Sequence, residues 1–147
     1  MRRMVIVNLP VRDLLASADF YRTLGFAVDE EFCEVEAVSV RVSDSVLVML
    51  LSLERYAGFL GSDDDASPTR PEDVHPQSLT SISTVTAAEV EEIYARALAA
   101  GASPRSFVAQ GPVHGRSFAD PDGHVWELIH MDLPDVVVGP GVLGATS

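Results

Sequence analysis

The sequence predicts an α+β protein built from two paired modules, each running strand, helix, then about three strands. Three observations carry this. Two helix-periodic stretches, at residues 14–24 and 87–98, have start and stop signals. Each follows a short strand-like run and precedes several more of strand length. The two halves also repeat the same element order at a shift of 73 to 78 residues.

In the first half, residues 4–7 form a short apolar strand closed by Pro10 and Asp13. Asp13 is a helix N-cap, because its carboxylate can accept from free backbone N–H groups. Leu14, Ala18, Tyr21 and Leu24 follow at helical spacing, and Gly25 stands where a left-handed C-cap ends the helix. Residues 26–28 make a strand. Val35, Val38, Val40 and Val42 mark a further β segment, 43–45 a tight turn, and 46–51 a buried strand. Ser52 can cap a short helix reaching Tyr56 or Phe59. Residues 61–76 then hold three consecutive aspartates and three prolines and read as a loop.

In the second half, residues 79–85 are β-like. Thr86 and Glu89 form a capping box, with the Thr86 hydroxyl on the Glu89 amide and the Glu89 carboxylate returning to the cap amide. Val90, Ile93, Tyr94, Ala97 and Leu98 line the helix, and Gly101 ends it. Residues 106–109 and 116–119 read as strands, 120–123 as a turn, and 125–131 as a last long strand. The modules therefore run 4–53 and 79–133, with a loop at 54–78 and a tail at 134–147, in one domain.

A shift of 73 lays Tyr94 on Tyr21 and Ser81 on Asn8, and a shift of 78 sets Glu127 opposite Met49. Two modules that each expose an apolar sheet face bury it by packing together, which leaves a concave surface.

Composition excludes several classes. The 147 residues are 47% hydrophobic, enough for one core without a stabilising metal or disulfide. The formal charge of −12 opposes nucleic-acid binding and an anionic membrane surface. No apolar run reaches membrane-span length, and the first residues do not read as a signal peptide. The lone Cys33 fits a reducing, cytoplasmic setting.

Two motifs go further. Residues 8–13, Asn-Leu-Pro-Val-Arg-Asp, run into Phe20-Tyr21-Arg22-Thr23-Leu24-Gly25-Phe26, and the last strand enters through Phe118-Ala119-Asp120-Pro121-Asp122-Gly123-His124-Val125-Trp126-Glu127. Together, in this order, they resemble the vicinal oxygen chelate superfamily, which includes glyoxalase I, bleomycin-resistance proteins and extradiol dioxygenases. The nearest likeness is to its glyoxalase-like members without assigned activity. The resemblance implies two βαβββ modules in a half-open barrel around a cleft, commonly a homodimer. It also implies four inward positions where metal-dependent members carry ligands: here Asn8, Met49, Ser81 (Ser83 if the register slips) and Glu127. Only Glu127 is a normal ligand for a divalent transition metal, so no metal and no other cofactor is expected.

Single residues sort accordingly. Glu127 shares a strand face with Val125, Ile129 and Met131. It is either an acid, base or ligand anchor in the cleft, or a structural partner of Arg3, Arg116 or a backbone amide. His114, read in a loop after Gly111-Pro112-Val113, is a candidate cleft base. His75, His114, His124 and His130 have no zinc spacing. Asp120 and Asp122 serve a turn, Tyr21 and Tyr94 pack with their hydroxyls at the core edge, and Trp126 is core.

Three functions follow. The first is a metal-independent protein binding an apolar or aromatic small molecule, the acidic charge favouring a cationic one, through Asn8, Met49, Ser81 and Glu127. The second is a glyoxalase-like lyase or dioxygenase-like enzyme using Glu127 with Asn8 or His114, or with Glu127 as a metal ligand. The third is a structural or protein-interaction role with the cleft closed by side chains. The apolar strand edges and valine-rich tail provide for a homodimer.

Overall fold

The computed structural model describes residues 3–31, 35–60 and 78–132. Cys33, His75, most of the predicted loop and the tail 134–147 lie outside the described residues. The elements are β1 (Val5–Val11), α1 (Leu14–Thr23), β2 (Ala27–Asp29), β3 (Ala37–Ser43), β4 (Val46–Ser52), α2 (Leu53–Phe59), β5 (Thr80–Ser83), α3 (Ala87–Ala99), β6 (Ser103–Gln110), β7 (Val113–Ala119) and β8 (Val125–Met131). They form two βαβββ modules with the same strand order, β1-β4-β3-β2 and β5-β8-β7-β6. In each sheet the edge pair, β1 with β4 or β5 with β8, is parallel and the others antiparallel. The two open sheets form a half-open barrel around a cleft.

Local chemistry sets the helix ends. Asp13 accepts from the Ala16 amide at 3.0 Å, and Ser52 from the Arg55 amide at 3.1 Å. Gly25 follows α1 with φ +104, a conformation that costs a side-chain-bearing residue free energy. At α3 the Thr86 hydroxyl takes the Glu89 amide at 3.1 Å, as predicted. The Glu89 carboxylate differs from the prediction: it accepts from the Val85 amide at 2.8 Å, one residue ahead of the cap.

Helix α1 packs on β2, β3 and β4, and α3 on β7 and β8. Their apolar stripes fill one core shared by both modules, with Val38, Val40, Val48 and Leu50 from the first sheet and Phe118, Trp126 and Leu128 from the second. Strand alternation sends the neighbouring residues to the other face of each sheet.

Three residues of the first module, Pro10, Arg12 and Tyr21, tie it to the second around the turn between β7 and β8. The Arg12 backbone amide and Nε both donate to Asp122 Oδ1, at 3.0 and 3.1 Å. His124 Nε2 lies 2.7 Å from the Pro10 carbonyl oxygen. The Tyr21 hydroxyl donates to Asp120 Oδ2 and accepts from Trp126 Nε1 at 2.9 Å. Tyr21 is 1% exposed, so its hydroxyl is inside the core and not at the predicted edge.

Candidate functional site

The repeat found in the sequence reappears as strand register. Asn8 on β1 aligns with Met49 on β4, and Ser81 on β5 aligns with Glu127 on β8. Each pair sits at the same place in its module's parallel edge ladder, on the face turned from the helices. Within the second sheet the row continues to Ser117 on β7. Ser81 Oγ donates to Glu127 Oε1 at 2.8 Å. That hydroxyl, not Arg3 or Arg116, is the side-chain partner of Glu127 among the described residues.

Beyond Ser117 the ladder between β6 and β7 shifts register between Pro104 and Phe107. Two residues, Arg105 and Ser106, there oppose the single Ser117. Such a bulge re-aims side chains. The Ser106 amide donates to Ser117 Oγ at 2.8 Å, and the two hydroxyls meet at 2.7 Å, pinning it. Around this row lies an open concavity of about 640 Å³, lined by Ser78, Leu79, Pro104, Arg105, Ser106, Ser117, Val125 and Glu127. It pairs a carboxylate with a guanidinium over a partly apolar floor.

Asn8 is exposed and Met49 half-buried on the first sheet. No hydrogen bond joins Asn8 to Glu127 among the described residues. The four expected positions therefore fall into two pairs, with Ser81 and Glu127 in direct contact.

His114 is a correction to the sequence reading. Gly111 and Pro112 form the tight connection of the β6–β7 hairpin, so His114 lies within β7 and pairs with His130. Alternation turns it to the α3 side, opposite the face of Glu127. There its Nε2 is 3.6 Å from Glu91 Oε1, and its ring meets Phe107 edge-on at 5.4 Å. Nε2 is buried with no hydrogen-bond partner among the described residues. Arg116, two residues on, shares that face. It holds Glu91 by three contacts of 2.9 to 3.0 Å, between the rings of Phe107 and Tyr94 at 4.1 and 5.0 Å. This guanidinium holds the Glu91 carboxyl below the usual carboxylate range.

The other two described histidines, His124 and His130, contact backbone carbonyls. His124 binds the Pro10 carbonyl, and His130 Nδ1 lies 3.2 Å from the Thr84 carbonyl oxygen. Asp120 Oδ1 accepts from the Asp122 and His124 amides at 3.0 and 2.8 Å, the turn chemistry predicted for it. Burial pushes the Asp120 carboxyl above its ordinary range.

The donor set does not fit the metal of the chelating enzymes. An amide, a thioether, a hydroxyl and one carboxylate supply one strong ligand where a divalent transition metal needs three or more. Among the described residues no group of three His, Cys, Asp or Glu side chains could hold a metal ion. No helix there is long and apolar enough to cross a membrane.

The model of the Glyoxalase/Bleomycin resistance protein/Dioxygenase superfamily matches residues 3–128. A comparison with curated proteins gives no match. Many solved structures are similar. One is a hypothetical protein from S. aureus, 22% identical, covering 88% of this chain and 95% of its own, with TM-score 0.69. Another is a glyoxalase-related enzyme from Fulvimarina pelagi, 22% identical, covering 95% and 94%, with TM-score 0.71. A third is a glyoxalase/bleomycin resistance protein/dioxygenase family enzyme from Burkholderia phytofirmans PsJN, 17% identical, covering 88% and 98%, also with TM-score 0.71. At these identities the likeness is one of fold.

Proposed function

Because the chain belongs to the Glyoxalase/Bleomycin resistance protein/Dioxygenase superfamily, we propose that it uses the family's cleft to bind a small molecule without a metal at the family positions. The observation that carries this reading is Glu127 on the wall of the concavity, its carboxylate held by the Ser81 hydroxyl. Glu127 is the one strong ligand of the four positions, and a serine hydroxyl occupies one of its oxygens. A carboxylate so placed is an acceptor for an ammonium or another donor on a ligand. Leu79, Val125 and Pro104 beside it suit an apolar or aromatic body. The formal charge of −12 favours a cation.

A homodimer in the cytoplasm completes the proposal. Val5 and Ile6 on edge strand β1, and Leu79 ahead of edge strand β5, are each more than half exposed. Apolar side chains along strand edges support association with a second copy.

Native mass spectrometry, before and after chelation and with added Zn, Ni, Mn or Fe, tests both parts. The expected result is a dimer that retains no metal and carries or accepts a small organic ligand. One tightly held metal per chain overturns the metal-free reading, and a monomer at micromolar concentration overturns the dimer.

A further inference from the structure

We propose that the concavity of the second sheet takes a small zwitterion, with Glu127 receiving its ammonium and Arg105 its carboxylate. This rests on the binding reading of Glu127 and adds an anion-recognising residue to it. The bulge carries the inference. In a regular ladder one residue would face Ser117, and the next would turn to the α3 side. Here Pro104 aligns with Phe118 and Phe107 with Arg116, which leaves Arg105 and Ser106 together opposite Ser117. Both line the concavity.

Ser106 and Ser117 bond each other and so hold the bulge. Arg105 has no carboxylate partner among the described residues, and unlike Arg3, Arg41, Arg55 and Arg96, which also have none, it lines the concavity. It lines one concavity with Glu127, and no ion pair joins the two. Their strands are two steps apart in the sheet, so the backbones stand roughly 10 Å apart, wide enough to seat a ligand carrying both charges between them. On a chain of formal charge −12, the general field repels anions. A guanidinium inside the concavity is then a local exception, with the fork geometry that matches a carboxylate.

The test is a titration of the full chain, followed by amide NMR shifts, with two sets of probes. One set is 6-aminohexanoate, hexylamine and hexanoate; the other is L-phenylalanine, phenethylamine and 3-phenylpropionate. Within a set the body is constant and the charges change. The expected result is that at least one zwitterion binds about tenfold more tightly than its amine and its acid, as one added charge-assisted contact implies. Shifts should centre on the amides of residues 105, 117 and 127. Arg105→Gln should reduce the zwitterion to the affinity of its amine, and Glu127→Gln should weaken both. Arg41→Gln, on the other sheet, should change neither.

Equal affinity of amine and zwitterion in the unmodified protein overturns the proposal without any variant. If that amine binding is lost in Glu127→Gln, the simpler binding reading stands. If it survives in Glu127→Gln, both readings fall. No shift from any of the six probes at 10-millimolar order overturns the zwitterion, while native mass spectrometry still decides the broader reading.

Discussion

The Tyr21 hydroxyl of the first helix donates to the buried Asp120 carboxylate, 99 residues further along the chain. The same oxygen receives the Trp126 indole N–H, so one phenol joins α1, the closing turn and β8. All three side chains are at most 3% exposed. Tyr21→Phe leaves a buried indole N–H and a carboxylate oxygen without their partner. The expected cost is about 2 kcal/mol, from the penalty for such orphaned groups. Urea unfolding at neutral pH measures it. A change below about 0.5 kcal/mol, the range of a neutral surface substitution, would show that the contact does not brace the modules.

Two carboxylates give stability opposite dependences on pH. Burial raises Asp120, so the folded chain holds that proton more tightly than the unfolded chain. Its contribution is full below the ordinary carboxylate pKa of about 4 and is lost as pH rises through the higher folded value. Glu91 is lowered, first by its hydrogen bond from Arg116. Its contribution is present above the ordinary value and is lost as pH falls through the folded one. Unfolding free energy measured from pH 3 to 8 should therefore lose its downward component in Asp120→Asn and part of its acid loss in Glu91→Gln. The Glu91 effect is the smaller, because that side chain is 41% exposed and screened by water. Identical pH slopes in the two variants and the parent would refute both assignments.

Much of this arrangement was legible because local chemistry is written in single residues. Asp13, Ser52 and Thr86 cap where their side chains predict, and the 73- and 78-residue shifts anticipate the aligned pairs Asn8–Met49 and Ser81–Glu127. The misses around the candidate site are matters of register. His114 looks like a loop residue because Gly111-Pro112 punctuates the chain, yet those two residues are the whole hairpin turn. In the sequence Arg116 reads as a partner for Glu127, but it aligns with Leu128 and so faces α3. Arg105 reaches the concavity through a bulge, which breaks the period-two pattern by which strand faces are read.

Two glycines should respond to alanine with opposite sign. Gly25 has φ +104, and a Cβ there would lie 3.4 Å from Arg96 Nη1. Gly25→Ala is expected to cost about 1–2 kcal/mol through left-handed backbone strain. Gly58 is helical within α2, and a Cβ there meets nothing within 4 Å. Gly58→Ala is expected to stabilise by a few tenths of a kcal/mol to about 1, by restricting the unfolded chain and favouring the helix. Melting temperatures of the two variants, read against the parent, check the signs. A shift in the same direction for both would mean that backbone conformation is not what distinguishes them.

Salt should separate the two ligand readings of the concavity. The field of a chain with formal charge −12 acts at long range on a ligand's net charge. Hexylamine carries one positive charge, so its affinity should fall as sodium chloride rises from about 10 to 200 mM and the Debye length shrinks from about 30 Å to below 10 Å. 6-Aminohexanoate has no net charge, and attraction at its ammonium is offset by repulsion at its carboxylate. Its binding depends on close contacts with Glu127 and Arg105, which salt screens less. Its affinity should therefore fall by a smaller factor over the same range, and Arg105→Gln should lower that affinity at both salt concentrations. Isothermal titration at both salt concentrations measures this. Equal salt slopes for the two probes in the unmodified protein would mean that Arg105 does not engage the carboxylate, leaving Glu127 as the sole charged contact.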